Sequence, residues 1–232
     1  LGELPIIPML TIASLVSSII LFTVILLTGK LNHLTKGTVK DLVNSAILGL
    51  INPFLYYLIL LKAYQLLPAQ VAQPLNMIWP IILVFLSVPI LRQKIETRSF
   101  IALFISFIGV YVISSQGNFF KAGHADLKGV MLATGSSVFW ALYFILNVRD
   151  KRDEAIKLFL NFMFGYLYLI IYLLITKEWQ MSGSGTRGML AAVYIGVFEM
   201  GITFLFWLKA LQMAESTDKV SNLVYLAPFL SL

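Results

Sequence analysis

A chain of 232 residues that is 59% hydrophobic and only 12% charged cannot cover a soluble globule, which is about 45–50% apolar and about 25% charged, so the apolar excess must face lipid. Cysteine is absent, which excludes a disulfide framework and thiolate metal sites, and the two histidines, His33 and His124, sit in polar connections, so neither a histidine metal site nor a catalytic triad is expected. The net charge of +6 is spread over short loops between apolar runs, the pattern that orients membrane proteins rather than a nucleic-acid patch.

A membrane-crossing helix needs about 20 mostly apolar residues. In chain order the sequence offers seven such runs, at 5–28, 42–61, 66–91, 98–115, 127–148, 156–176 and 188–211. No basic segment precedes the first, so it does not read as a signal peptide. Polar connections fall at Gly29 to Asp41, Gln116 to Asp126 and Lys177 to Gly188, the last including the flexible stretch Ser182-Gly183-Ser184-Gly185. Strands are not expected, because period-two alternation is absent and lipid demands that backbone groups pair within a segment. An eighth run begins near residue 219 and stops at Leu232. Its 14 residues would span only about 21 Å of a core about 30 Å thick, so the chain is expected to be cut inside a helix.

Lysine and arginine mark the two sides of the membrane. Lys30, Lys36, Lys40, Arg92, Lys94, Arg98, Arg149, Lys151, Arg152, Lys157, Lys209 and Lys219 fall on one side, and Lys62, Lys121, Lys128, Lys177 and Arg187 on the other, a division of 12 against 5. The richer side is expected to be cytoplasmic, which places the loops at 29–41, 92–98 and 149–157 there. The charged stretch Arg149 to Lys157 reads as a solvated loop and not as a binding site.

An internal repeat supplies the topology. Residues 49–65 align without a gap on 196–212 at an offset of 147, with six of 17 positions identical, among them Lys62/Lys209, Ala63/Ala210 and Gln65/Gln212. The copies fall in the second and seventh runs, five steps apart, so they insert in opposite directions, the inverted-repeat plan of many secondary transporters. The expected fold is an all-α polytopic helix bundle of two inverted five-helix repeats. The full protein should have ten helices and this chain about seven and a half. The first repeat, 1–122, lacks its first helix, and the second, 123–232, is truncated within its fourth.

This plan resembles the drug/metabolite transporter superfamily, its EamA family in particular. Leu61-Lys62-Ala63-Tyr64-Gln65-Leu66-Leu67-Pro68-Ala69 is similar to the end of that family's third helix. Asn76-Met77-Ile78-Trp79-Pro80 is similar to its proline-bearing fourth. Trp207-Leu208-Lys209-Ala210-Leu211 and Asn222-Leu223-Val224-Tyr225-Leu226-Ala227-Pro228 resemble the same pair in the second half. The Trp79-Pro80 pair with Tyr225-Leu226-Ala227-Pro228 is closest to the aromatic amino-acid exporter group. One departure is Gln93, in Arg92-Gln93-Lys94, where members often carry a glutamate. The resemblance implies a multi-pass protein of the bacterial inner (plasma) membrane that exports amino acids or related metabolites, with the proton as candidate coupling ion. No cofactor, metal or nucleic-acid partner is expected.

The candidate pathway residues follow from polarity in apolar runs. Glu199 lies about 11 residues from either end of its run, and an ionised group at that depth costs at least about 2.5–3.5 kcal/mol. It serves either as a proton-coupling or amine-binding carboxylate or as a structural interhelical hydrogen bonder. Asn52 is its repeat partner, followed by Pro53, which invites a kink; the pair reads as midplane site or as packing kink. Gln70, Gln73 and Asn76 recur at three-residue spacing beside Pro74 and Pro80, a polar stripe that lines a cavity or glues helices. Trp79, Trp140, Trp207, Tyr56, Tyr57, Tyr143 and Tyr225 could stack on a flat or cationic substrate, though Trp and Tyr also populate membrane interfaces. Asn222 is a substrate contact on the resemblance or part of a helix start. Pro80 and Pro228 are expected to kink their helices.

The expected function is a secondary transporter working by alternating access around a midplane site, and not an enzyme. Against a membrane enzyme, the sequence holds neither H-E-x-x-H nor G-x-S-x-G, and Ser216-Thr217-Asp218-Lys219 is only a four-residue S-x-x-K match. A channel should show rings of charge, and a scaffold has no need of a polar midplane.

Overall fold

The computed structural model describes residues 4–114, 126–177 and 185–226. It is 86% helix, with no strand among the described residues, as lipid requires when each segment must satisfy its own backbone. The helices are α1 (Ile6–Leu27), α2 (Leu31–Leu34), α3 (Val39–Leu66), α4 (Ala69–Leu91), α5 (Thr97–Ser114), α6 (Leu127–Arg149), α7 (Glu154–Thr176), α8 (Thr186–Met213) and α9 (Thr217–Ser221). A 3-10 turn, Asn222–Leu226, follows α9. Six of these helices, α1, α3, α4, α6, α7 and α8, are long and apolar enough to cross a membrane. The remaining expected run, 98–115, is α5, whose stretch Thr97–Gly109 is apolar.

Helix ends follow local chemistry. The run expected at 42–61 begins earlier, because Thr38 and Asp41 form a capping box: the Thr38 N–H donates to Asp41 Oδ2 at 2.9 Å and the Asp41 N–H to Thr38 Oγ1 at 3.2 Å. Asp153 caps α7 by accepting from the Ala155 and Ile156 N–H groups at 3.0 and 3.4 Å. Gly29 follows α1 at φ +68°, a left-handed conformation that glycine adopts without a Cβ penalty.

Contacts group the described chain into two units, each gathered from two stretches: Leu1–Tyr57 with Asp150–Lys209, and Leu58–Arg149 with Ala210–Leu232. In the first unit α1 packs along α7 and the middle of α8, and α3 packs on α7. Small residues allow the approach. Gly49 faces the Asn161 carbonyl and Gly165, Gly165 faces the Pro53 ring, and Gly196 faces the Ala13 carbonyl and Val16. Close backbone contact through small residues is a main source of helix association in lipid, where apolar side chains gain little from meeting one another. α7 accordingly buries Phe162, Leu169 and Leu173 and exposes Leu167, Ile171, Leu174 and Ile175.

In the second unit α4 packs on α6. Ala63, Leu67, Ala72 and Ala133 form one buried cluster, and Ile81, Val84, Leu103 and Tyr225 another. Two departures from the sequence reading are local. The run 66–91 is one crossing but two helical pieces, Ala69–Asn76 and Trp79–Leu91; the break at Met77–Ile78 precedes Pro80, which therefore sits in a first turn, where its missing N–H is harmless. The stretch Arg149 to Lys157 is not a solvated loop: Lys157 is fully buried and the Arg152 side chain is 16% exposed.

Candidate functional site

In the first unit α3 breaks at Leu50–Leu55 and α8 widens into a π-helical turn at Ile195–Thr203. Such turns often mark functional positions. In α3 the cause is legible: Pro53 lacks an N–H and its ring obstructs a regular turn, and Asn52 adopts extended backbone angles, φ −150° and ψ 124°. The Asn52–Pro53 bond is cis. The Asn52 side chain is fully buried, and neither its Oδ1 nor its Nδ2 has a hydrogen-bond partner among the described residues. An unmet buried amide costs about 1–3 kcal/mol, a cost carried beside the break. Ser14 and Ser17 of α1 likewise bury hydroxyls that have no partner among the described residues.

Glu199 lies inside the π-helical turn of α8, and the Tyr57 O–H donates to its Oε1 at 2.9 Å. Glu199 is otherwise exposed on the first unit. A carboxyl at this depth of a crossing helix belongs against water or protein, not lipid. Tyr57 is buried, with its ring 4.9 Å from that of Tyr56, which is buried too. Trp207 is half-buried further along α8.

The second unit holds another cluster. Asn76 is buried and donates from Nδ2 to Ser136 Oγ at 2.9 Å. The helix break leaves carbonyls to satisfy: Ser137 Oγ donates to that of Asn76 at 2.8 Å, and the Tyr225 hydroxyl to that of Met77 at 3.1 Å. Next to them the rings of Trp79 and Trp140 lie 5.8 Å apart, and those of Trp140 and Phe144 5.0 Å. Asn222 Oδ1 accepts from Ser106 at 2.9 Å. Ser137→Ala leaves a buried carbonyl short of a donor and should cost about 1–3 kcal/mol, read as a lower melting temperature in detergent; unaltered melting would refute this role for Ser137.

The sequence candidates therefore separate. Asn52, Pro53, Tyr56 and Glu199 belong to the first unit, where Tyr57 holds Glu199; Asn76, Trp79, Trp140, Tyr225 and Asn222 belong to the second. Gln70 and Gln73 are exposed whereas Asn76 is buried, because three-residue steps on a helix of about 3.6 residues per turn drift round its surface. Pro228 lies outside the described residues. Sequence reasoning missed Ser136 and Ser137, although an adjacent serine pair inside an apolar run is itself a signal of polar glue between helices. It also missed Gln93, whose Oε1 accepts from the Thr217 N–H at 3.1 Å and hydroxyl at 2.7 Å. The glutamine at that departure thus ties down the start of α9.

The misread charged stretch forms a third cluster, in the first unit. Arg152 donates to Asp150 from Nη2 at 2.5 Å, to the Asp41 carbonyl at 3.1 Å and to Ser45 at 3.0 Å. Burial pushes the Asp150 carboxyl up, but the hydrogen bonds and charge of Arg152 outweigh it and hold the group below the usual carboxylate range.

An all-helical chain with six helices long and apolar enough to cross a membrane defines a polytopic membrane protein. The model of the EamA-like transporter family matches residues 1–115 and 127–232, and the chain belongs to that family. It is similar to an uncharacterized transporter of Clostridium kluyveri, 26% identical over 141 residues that cover 59% of this chain and 45% of that protein. It is also similar to the uncharacterized transporter YvbV of Bacillus subtilis, 25% identical over 79% of this chain and 60% of that one. An uncharacterized transporter of Archaeoglobus fulgidus is 26% identical over 91% of this chain and 72% of its own length. The chain thus spans less than two thirds of the first two relatives. One crystal structure, 19% identical, shares the fold with a TM-score of 0.80 over 99% of this chain and 78% of the other. The family and these relatives are all described as transporters.

Proposed function

We propose that the protein is a secondary transporter that exports amino acids or related small metabolites by alternating access, with Glu199 as the proton-carrying group. The observation that carries this reading is the Glu199 carboxyl, held by Tyr57 within a membrane-crossing helix. A carboxyl at that depth is costly unless it serves a function or is paired. The unpartnered amide of Asn52 at the break in α3 supplies donor and acceptor for a substrate's carboxylate and ammonium groups. The resemblance of Trp79-Pro80 and Tyr225-Leu226-Ala227-Pro228 to the aromatic amino-acid exporter group makes aromatic amino acids the first substrates to try.

The inverted repeat, with halves 1–122 and 123–232, belongs to the same proposal. Two observations support it: the family model matches two successive stretches, and the break in α3 at Leu50–Leu55 and the π-helical turn of α8 at Ile195–Thr203 coincide at the offset of 147. The positive-inside count supports a plasma-membrane orientation with 29–41, 92–98 and 149–157 cytoplasmic. Counterflow of radiolabelled aromatic and aliphatic amino acids into proteoliposomes tests the reading. Protein-dependent exchange of at least one is expected; absence of exchange across a broad metabolite panel would refute it.

A further inference from the structure

A cavity of about 210 Å³ opens beside the first turns of α3 and α7, and no residue of the Asn52–Glu199 region lines it. Its apolar wall is Leu34, Ile156 and Leu160. Its polar rim holds His33, Lys36, Asp41, Arg152 and Asp153.

The rim's polar groups are unequally committed. Arg152 is spent on Asp150, Ser45 and the Asp41 carbonyl. Asp41 Oδ2 accepts from the Thr38 N–H and hydroxyl. Asp153 takes Lys30 at 2.5 Å and the capping N–H groups of α7. His33 and Lys36 are exposed and have neither an ion-pair partner nor a side-chain hydrogen bond among the described residues. The groups left over are thus an ammonium and an imidazole, above an apolar wall.

That pairing selects an amphiphile with an anionic head. The depth agrees: α3 and α7 both begin at this cavity, and the ends of crossing helices lie at the headgroup level of a bilayer. We propose that this cavity binds the headgroup of an anionic phospholipid, its phosphate on Lys36 and His33 and the first methylenes of its acyl chains on Leu34, Ile156 and Leu160. A free phosphate ester would satisfy Lys36 and His33 but leave the apolar wall unused. The bound lipid would bridge the α2–α3 turn and the start of α7.

Native mass spectrometry of the purified protein tests this with three probes: phosphatidylglycerol, an uncharged diacylglycerol glycolipid and glycerol phosphate. The wild type should retain one phosphatidylglycerol in preference to the glycolipid. Lys36→Gln should weaken that retention about fivefold, the worth of one basic residue at an anionic membrane surface, and Lys36→Arg should keep it. Lys36 is exposed, so both variants should melt like the wild type without lipid. Equal retention by wild type and Lys36→Gln would overturn the proposal. Displacement of the lipid by glycerol phosphate at matching concentration would overturn it too, in favour of a soluble phosphate ligand. These readouts involve no transport, so the site stands or falls independently of the exporter reading.

Discussion

Arg152→Met is expected to destabilise the folded protein by about 3–5 kcal/mol, the usual cost of removing one partner from a buried ion pair. Asp150, whose side chain is 9% exposed, receives Arg152 at 2.5 Å and also the Asn44 amide at 3.0 Å. Nearby, the buried Lys157 ammonium donates to the Asp150 carbonyl at 2.8 Å. Without the guanidinium, Asp150 keeps a charge with little solvent to screen it, and Ser45 and the Asp41 carbonyl lose a donor. At about 2–4 °C per kcal/mol for a chain of this size, melting in detergent should fall by roughly 6–20 °C. Arg152→Lys should restore only part, because an ammonium cannot reproduce the planar fork. Melting of Arg152→Met within a degree of wild type would show that the cluster is solvated after all.

The second large effect is expected at Gly165. A Cβ there would meet the Pro53 ring and would lie 3.3 Å from the Gly49 carbonyl. The proline ring cannot rotate aside, so α7 must shift away from α3. Overpacking of this kind costs about 1–3 kcal/mol. Because Asn52 precedes Pro53, Gly165→Ala should also impair exchange more than its loss of stability explains. Gly109→Ala is the matched control, since among the described residues nothing outside its own helix backbone and chain neighbours lies within 4 Å of its Cβ position, and it should lower neither melting nor exchange. Equal behaviour of the two variants would remove the close approach of Pro53 as a constraint.

The crossing helices were legible because lipid imposes a length and a composition on each one. The runs 5–28, 127–148 and 156–176 became Ile6–Leu27, Leu127–Arg149 and Glu154–Thr176. The break in α3 was legible too, since Pro53 announces it. The widening at Ile195–Thr203 was not, because no proline marks it, and Gly196, Glu199 and Gly201 do not by themselves specify a wider turn. Partners were least legible. Tyr57 is 142 residues from Glu199, and Ser45 is 107 from Arg152. Seen alone, the charges of 149–157 therefore read as solvated, although their counterparts on α3 draw them inward. Exposure along the polar stripe was not legible either: Gln73 is exposed and Asn76 buried, as three-residue steps on a helix drift round its surface.

The most direct test of the central claim is the pH dependence of amino-acid counterflow in proteoliposomes, measured for the wild type and Glu199→Gln. A glutamine can still accept from the Tyr57 hydroxyl but cannot carry a proton. Exchange that varies with pH in the wild type and becomes independent of pH in Glu199→Gln is the predicted result. Exchange with the same pH profile in both would contradict the account and leave Glu199 as a structural partner of Tyr57.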